Sequence, residues 1–129
     1  MPGMDRMHEI ALKMPANQED ALMARMAVSG LGMLAGLDAD TIGDLQTVVN
    51  ECTDCLLNQV VQPETISMTG WVENNRLILR WEVEGNQGQN QQKPLDNEVV
   101  RCILETLMPQ VELESDQRGV HSILCSIAV

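Results

Sequence analysis

The chain has 129 residues, 44% of them apolar, enough for one domain spanning 1–129 to bury a core without disulfides or a structural metal. Its net charge of −11 repels phosphate, which excludes nucleic acid and anionic membrane as partners and favours a basic protein surface. Apolar runs are short and residues 1–6 lack a signal-peptide core, so the chain is expected to stay in the cytoplasm.

With no Phe or Tyr and only Trp71 and Trp81, aliphatic side chains and nine Met must fill the interior, an adaptable packing. Residues His8 to Lys13 alternate, with Ile10 and Leu12 on one side, and predict a first strand that ends at Met14-Pro15-Ala16-Asn17. Asn17 is placed to cap a helix running to about Ala35, with Glu19 and Asp20 in its first turn and Gly36 as its stop. Asp38 or Asp40 then caps a second helix, whose apolar positions Ile42, Leu45, Val49, Cys52 and Leu56 recur every three or four residues, and which ends before Pro63.

Thr65 to Val72 and Leu77 to Val83 are rich in β-branched residues, carry one Trp each and flank Glu73-Asn74-Asn75-Arg76, the pattern of a hairpin. Gly85 to Pro94 has no apolar side chain and is expected to be a flexible loop. A third helix is predicted from about Leu95 to Met108, stopped by Pro109. Strands over Val111 to Glu114 and Val120 to Ala128, joined at Ser115 to Gly119, close the chain. The order β-α-α-β-β-α-β-β predicts an α+β fold, a two-layer α/β sandwich with three helices on one face of a mixed, mostly antiparallel sheet. The other face is left for a partner.

Cys52-Thr53-Asp54-Cys55 has the spacing of a zinc or redox pair, but a zinc site needs a second close pair and Cys102 and Cys125 stand 23 residues apart. Because both lie in aliphatic stretches, all four cysteines are expected to be buried free thiols.

Several segments together resemble the bacterial anti-sigma-factor serine kinases, members of the superfamily shared by gyrase, histidine kinases and the heat-shock chaperone ATPase. Met14-Pro15-Ala16-Asn17 is similar to the family's leucine-proline-alanine-asparagine junction, and Ala24-Arg25 with Ser29-Gly30-Leu31 to its first helix. Asn50-Glu51-Cys52-Thr53-Asp54-Cys55 stands where the family has Glu-Ala-Cys-Thr-Asn-Ala. Ile103 to Met108 and Gly119 to Leu124 resemble its third helix and closing strand. The resemblance spans nearly the whole chain and implies a Bergerat-type nucleotide-binding fold.

In that family an asparagine on the second helix ligates Mg²⁺ on the phosphates and a glutamate one turn earlier is the general base. Here these positions carry Asp54 and Asn50. Asp54 keeps a hard oxygen for Mg²⁺, but the Asn50 amide cannot accept a proton at neutral pH, so a base worth about 10²- to 10⁴-fold is missing. Asn50, Asp54 and Asn58 share one helical stripe, which is equally the pattern of a solvated face.

For the family's adenine-reading Asp-x-Gly-x-Gly one register offers Glu84-Gly85-Asn86-Gln87-Gly88, with a longer acid, and the other Val83-Gly85-Gln87; neither keeps both the acid and the glycine pair. Glu98-Val99-Val100-Arg101 stands where phosphate-cradling glycines are expected, and Gly is absent from Gln89 through Arg118.

The resemblance therefore implies a regulator that binds a sigma factor or an anti-anti-sigma-like antagonist, with no cofactor and no catalytic residue. The alternative is an ATP- and Mg²⁺-dependent protein serine kinase in which Asp54 holds the metal, Glu84, Gly85 and Gly88 meet the nucleotide, and His121 or, less favourably, His8 supplies the base. A homodimer is a further expectation, since the resembling family commonly pairs through its sheet or first helices and Met23, Met26, Met33 and Leu34 give the first helix an apolar surface, for a dimer or merely for the core.

Overall fold

A computed structural model describes residues 6–90 and 96–129. The elements follow in the order β1 (Met7–Pro15), α1 (Ala21–Leu34), α2 (Ala39–Leu57), β2 (Val61–Gln62), β3 (Thr65–Glu73), β4 (Arg76–Glu84), β5 (Gly88–Gln89), α3 (Asn97–Glu105), β6 (Gln110–Asp116) and β7 (Gly119–Ala128). Five strands form one sheet in the order β1-β3-β4-β7-β6, every neighbouring pair antiparallel, and β2 and β5 form a small second sheet. The architecture is α+β, consistent with a two-layer sandwich.

Alternation along the strands decides which face is covered. Ile66 and Met68 of β3, Leu77, Leu79 and Trp81 of β4 and Ile123 and Cys125 of β7 point one way and are buried. Against them pack Val28 and Leu31 of α1, the α2 stripe of Leu45, Val49, Cys52 and Leu56, and Leu104 of α3. Ile42, expected on that stripe, is half-buried at its solvent end. Two buried polar atoms in this core, Thr53 Oγ1 and Trp81 Nε1, have no hydrogen-bond partner among the described residues.

The opposite sheet face is polar except around Trp71, which is buried there because the Arg6 guanidinium lies 3.9 Å and that of Arg80 5.4 Å from its ring centre. Its indole N–H donates to Glu73 Oε1 at 3.2 Å.

Local chemistry sets the ends of the elements. Asn74 and Asn75, at φ of 51° and 61°, make the tight two-residue turn between β3 and β4, the left-handed pair that a twisted hairpin favours. Gly36, at φ of 80°, closes α1: its amide donates to Met33 O at 3.1 Å and the Leu37 amide to Gly32 O at 3.0 Å, so the last carbonyls are satisfied. Asp38 caps α2 by accepting from the Thr41 amide at 2.8 Å, and that bond lowers its carboxyl pKa.

Three expectations are corrected. The first helix begins at Ala21, not beside Asn17, because Asn17 Oδ1 accepts from the Asp20 amide at 2.9 Å and shapes a separate turn. The third is capped by Asp96, whose side chain accepts from the Glu98 amide, and its regular part ends at Glu105. The Leu107 and Met108 amides both return to Leu104 O in a tightened last turn. Cys102 is exposed, since Val100 and Leu104 take the sheet-facing side of α3 and a position between them turns outward. Cys52, Cys55 and Cys125 are buried free thiols.

Candidate functional site

Where α2 ends, its last turn, the β2 segment and the β6–β7 turn surround a cleft of about 220 Å³. Apolar Leu56, Val61, Pro63, Val83 and Val120 line it, with Gly85 and the polar groups of Asp116, Arg118 and His121 also on its wall. Ligand pockets commonly measure about 300–1,000 Å³, so this one is small.

The cleft wall at Gly119 and Val120 is braced by a buried side chain. Gln59, 4% exposed, donates to Cys55 O at 2.7 Å and accepts from the Val120 amide at 2.9 Å, which ties the end of α2 to the start of β7. Gly119, at φ of 116°, is required there: a Cβ would stand 2.5 Å from Gln59 Oε1. The Val61 amide donates to Arg118 O at 3.2 Å and extends the same seam.

The polar stretch after β4 is in part ordered, contrary to expectation. Asn90 Nδ2 donates to Leu57 O at 3.0 Å and Gln59 O at 2.6 Å, serving carbonyls that the end of a helix leaves without partners. Gln87 adds bonds from its amide to Gln62 O and from its side chain to Pro63 O, both 2.8 Å, and β5 pairs with β2. Asn and Gln lack apolar surface but carry amide groups that satisfy a neighbour's backbone, so this segment is held by hydrogen bonds instead of burial. Gln91 to Leu95, including Lys93 and Pro94, lie outside the described residues.

The residues expected to handle a nucleotide are dispersed. Asn50 Oδ1 accepts from Arg25 Nη1 at 2.8 Å, and Asp54 Oδ1 accepts from Gln18 Nε2, so both α2 side chains are bonded to the α1 side of the helix pair. Asn58 donates back to Asp54 O at 2.6 Å. Glu84 follows the outward positions of β4 and lies 3.7 Å from Lys13 Nζ, on the sheet face away from the helices. Gly85 reaches the cleft wall, but its φ of 84° and missing Cβ make room for Glu64, whose Cβ would be 2.7 Å away. Gly88 lies in β5 with open space around it.

His121 is on the cleft wall, whereas His8 occupies a bulge of β1 at φ of 53° at the far end of the sheet. Arg101 lies 3.4 Å from Val111 O and 4.0 Å from Glu98, away from α2's polar stripe. Gln59 was not legible as a site residue: one amide just past a helix has no distinguishing pattern, and only the pairing of Gly119 with it reveals its role.

Burial pushes the Cys52 thiol well above its ordinary pKa, with Cys125 beside it acting the same way, and pushes Cys55 from 9.0 up to about 11. Thiols so held are poor nucleophiles and poor metal ligands. Among the described residues no three His, Cys, Asp or Glu side chains gather as a metal site, and no helix is long and apolar enough to cross a membrane. Compared with protein-family models and with curated proteins, the chain matches none.

Proposed function

We propose that this chain is a cytoplasmic regulatory protein that binds a protein partner on a kinase-like scaffold and does not turn over ATP. The observation that carries the reading is the fate of the second-helix stripe. The amide at the base position is bonded to Arg25 and the carboxylate at the metal position to Gln18. A triphosphate would have to displace both and still find no glycine-rich backbone to cradle it.

Buried thiols suit a reducing compartment. Recovery of the chain from a membrane or exported fraction would count against the cytoplasmic assignment. The resemblance to anti-sigma kinases makes a sigma factor or its antagonist the partner of first choice.

The alternative kinase would use Asp54 for Mg²⁺ and His121 as base, and calorimetry separates the two. Titration of the purified chain with ATP and Mg²⁺ is expected to give no saturable heat. A saturable isotherm at micromolar ATP, lost in Asp54→Ala, would make the kinase the better reading.

A further inference from the structure

The outer surface of α1 is the least explained part of the molecule. Leu22, Met23, Met26, Met33 and Leu34 are each about half to two-thirds exposed. With Gly30 they fall within an arc of about 120°, counting roughly 100° per residue. No charged or hydrogen-bonding side chain interrupts that arc, and a Cβ at Gly30 would meet nothing within 4 Å. Scattered apolar residues are normal on a surface, but a continuous helical face of them marks a contact site.

The arc has a defined border. On its α2 side a polar seam joins the two helices, Arg25 to Asn50 and Gln46 Nε2 to Ser29 Oγ, each at 2.8 Å. Beyond the seam, Asp40 and Asp44, both exposed, and half-buried Glu51 share a flank of α2 roughly 120° round the helix from Gln46 and Asn50. From Asn17 to Asn58 the sequence has seven acidic residues and one basic one, Arg25, already bonded to Asn50. At the other end, Leu34 and Met7 carry the apolar surface into an open groove of about 500 Å³ beside Val72 and Val129.

We infer that α1 and α2 form a docking groove for an amphipathic helix of another protein, with Leu-, Ile- or Met-type residues facing α1 and Lys or Arg along the flank facing α2. This rests on the partner-binding reading above and names the surface and the chemistry of the partner. The track from Leu22 to Leu34 is roughly 18 Å long, which matches three to four turns of the incoming helix. Gly30, midway along it, lets that helix approach closely.

A second copy of the chain is the poorer occupant. Packing α1 on α1 would bury both arcs but bring two acidic hairpins together with no free cation on either to offset them. A cationic flank instead meets the Asp40, Asp44, Glu51 row with opposite charge, which speeds encounter and fixes orientation.

The probe is a synthetic helical peptide of about sixteen residues with Leu at helical spacing and Lys on the flanks, beside a twin carrying Glu for every Lys. Binding to the full chain is followed by fluorescence anisotropy, with circular dichroism confirming that every variant is folded. The Lys peptide is expected to bind saturably, about tenfold or more tighter than the Glu peptide, and to weaken as salt rises. Met26→Glu with Met33→Glu should lower its affinity at least about tenfold, and Asp40→Asn with Asp44→Asn should weaken it several-fold and flatten the salt dependence.

Equal binding by the Lys and Glu peptides, or equal binding of the Lys peptide to wild type and the Met26, Met33 variant, would overturn the groove. So would sedimentation of the wild-type chain as a dimer that the same variant dissolves, since the arc would then belong to a second copy. If a partner captured from cells binds that variant as well as wild type, the groove is wrong and the partner-binding reading stands. A saturable ATP isotherm with Mg²⁺ sinks the latter by itself.

Discussion

The two ends of the helical hairpin have been treated in opposite ways. At the C-terminal end of α2, polar side chains are turned inward: Gln59, Asn90 and Gln87 satisfy backbone groups beside the cleft. On the outside of α1, apolar side chains are turned outward and nothing among the described residues covers them. Each arrangement costs free energy unless something is gained. The first gains stability for the chain alone, whereas the second gains nothing until a partner arrives. The docking proposal reads that difference as a working surface on the helices' outer side and a structural role beside the cleft.

The largest effect that tests this contrast is alkaline destabilisation centred on the buried side of α2. Cys52 and Cys55 are held neutral by burial, with Cys55 raised to about 11, whereas in the unfolded chain both ionise near 9.0. Their contribution is fully present below the unfolded pKa and is lost as pH rises through the folded one. Stability should therefore be level up to about pH 8 and fall between about pH 9 and 11, by something on the order of 2 kcal/mol for Cys55 alone. Urea unfolding at each pH reads this out, and Cys55→Ser should shrink the slope. A Cys102→Ser chain should keep it, because Cys102 is exposed.

Next comes the Gln59 brace. Gln59→Ala removes the acceptor for the buried Val120 amide and the donor to Cys55 O, a loss of about 1–3 kcal/mol. Gly119→Ala alone should also destabilise, by its positive φ and by collision with Gln59. In the Gln59→Ala background the contacts with Oε1 and Cδ are gone, leaving the φ penalty and the 2.7 Å contact with the Cβ that alanine retains. The two substitutions should thus cost less together than the sum of their separate effects, a coupling that chemical denaturation of the four proteins measures. Strict additivity would mean that Gln59 does not fill the space beside Gly119.

The same contrast explains what the sequence discloses and what it hides. The helix stop at Gly36 and the Asn74-Asn75 turn each rest on a few neighbouring residues and were legible, and the α2 cap was narrowed to Asp38 or Asp40 before the fold settled it as Asp38. The α2 stripe was legible because its periodicity runs over four turns. Cys102 was misplaced because an aliphatic neighbourhood in sequence says nothing about which side of a short helix faces the sheet.

The ordering of Gln87 to Asn90 was missed for a related reason. Its partners, Leu57 O, Gln59 O, Gln62 O and Pro63 O, lie about 25 to 33 residues away in the chain. Composition predicts burial well and long-range hydrogen bonding poorly. Of the site, sequence identified which residues stand at the base and metal positions, and the fold added that Arg25 and Gln18 already occupy them.

The smallest expected effect is also the most direct measure of the contrast. Met26 and Met33 are 67% and 69% exposed, so replacing either with Gln removes little buried area and leaves helix propensity nearly unchanged. Each should shift unfolding stability by no more than about 0.5 kcal/mol. Val28, on the same helix but fully buried, should cost several times that when shortened to Ala, because it leaves a cavity among Leu31 and the sheet. If Met26→Gln or Met33→Gln instead costs as much as Val28→Ala, the arc is covered in solution, and a self-associated chain becomes the simplest explanation. If the Met variants are neutral, those side chains are kept apolar for something other than folding, which is the condition a docking surface must meet.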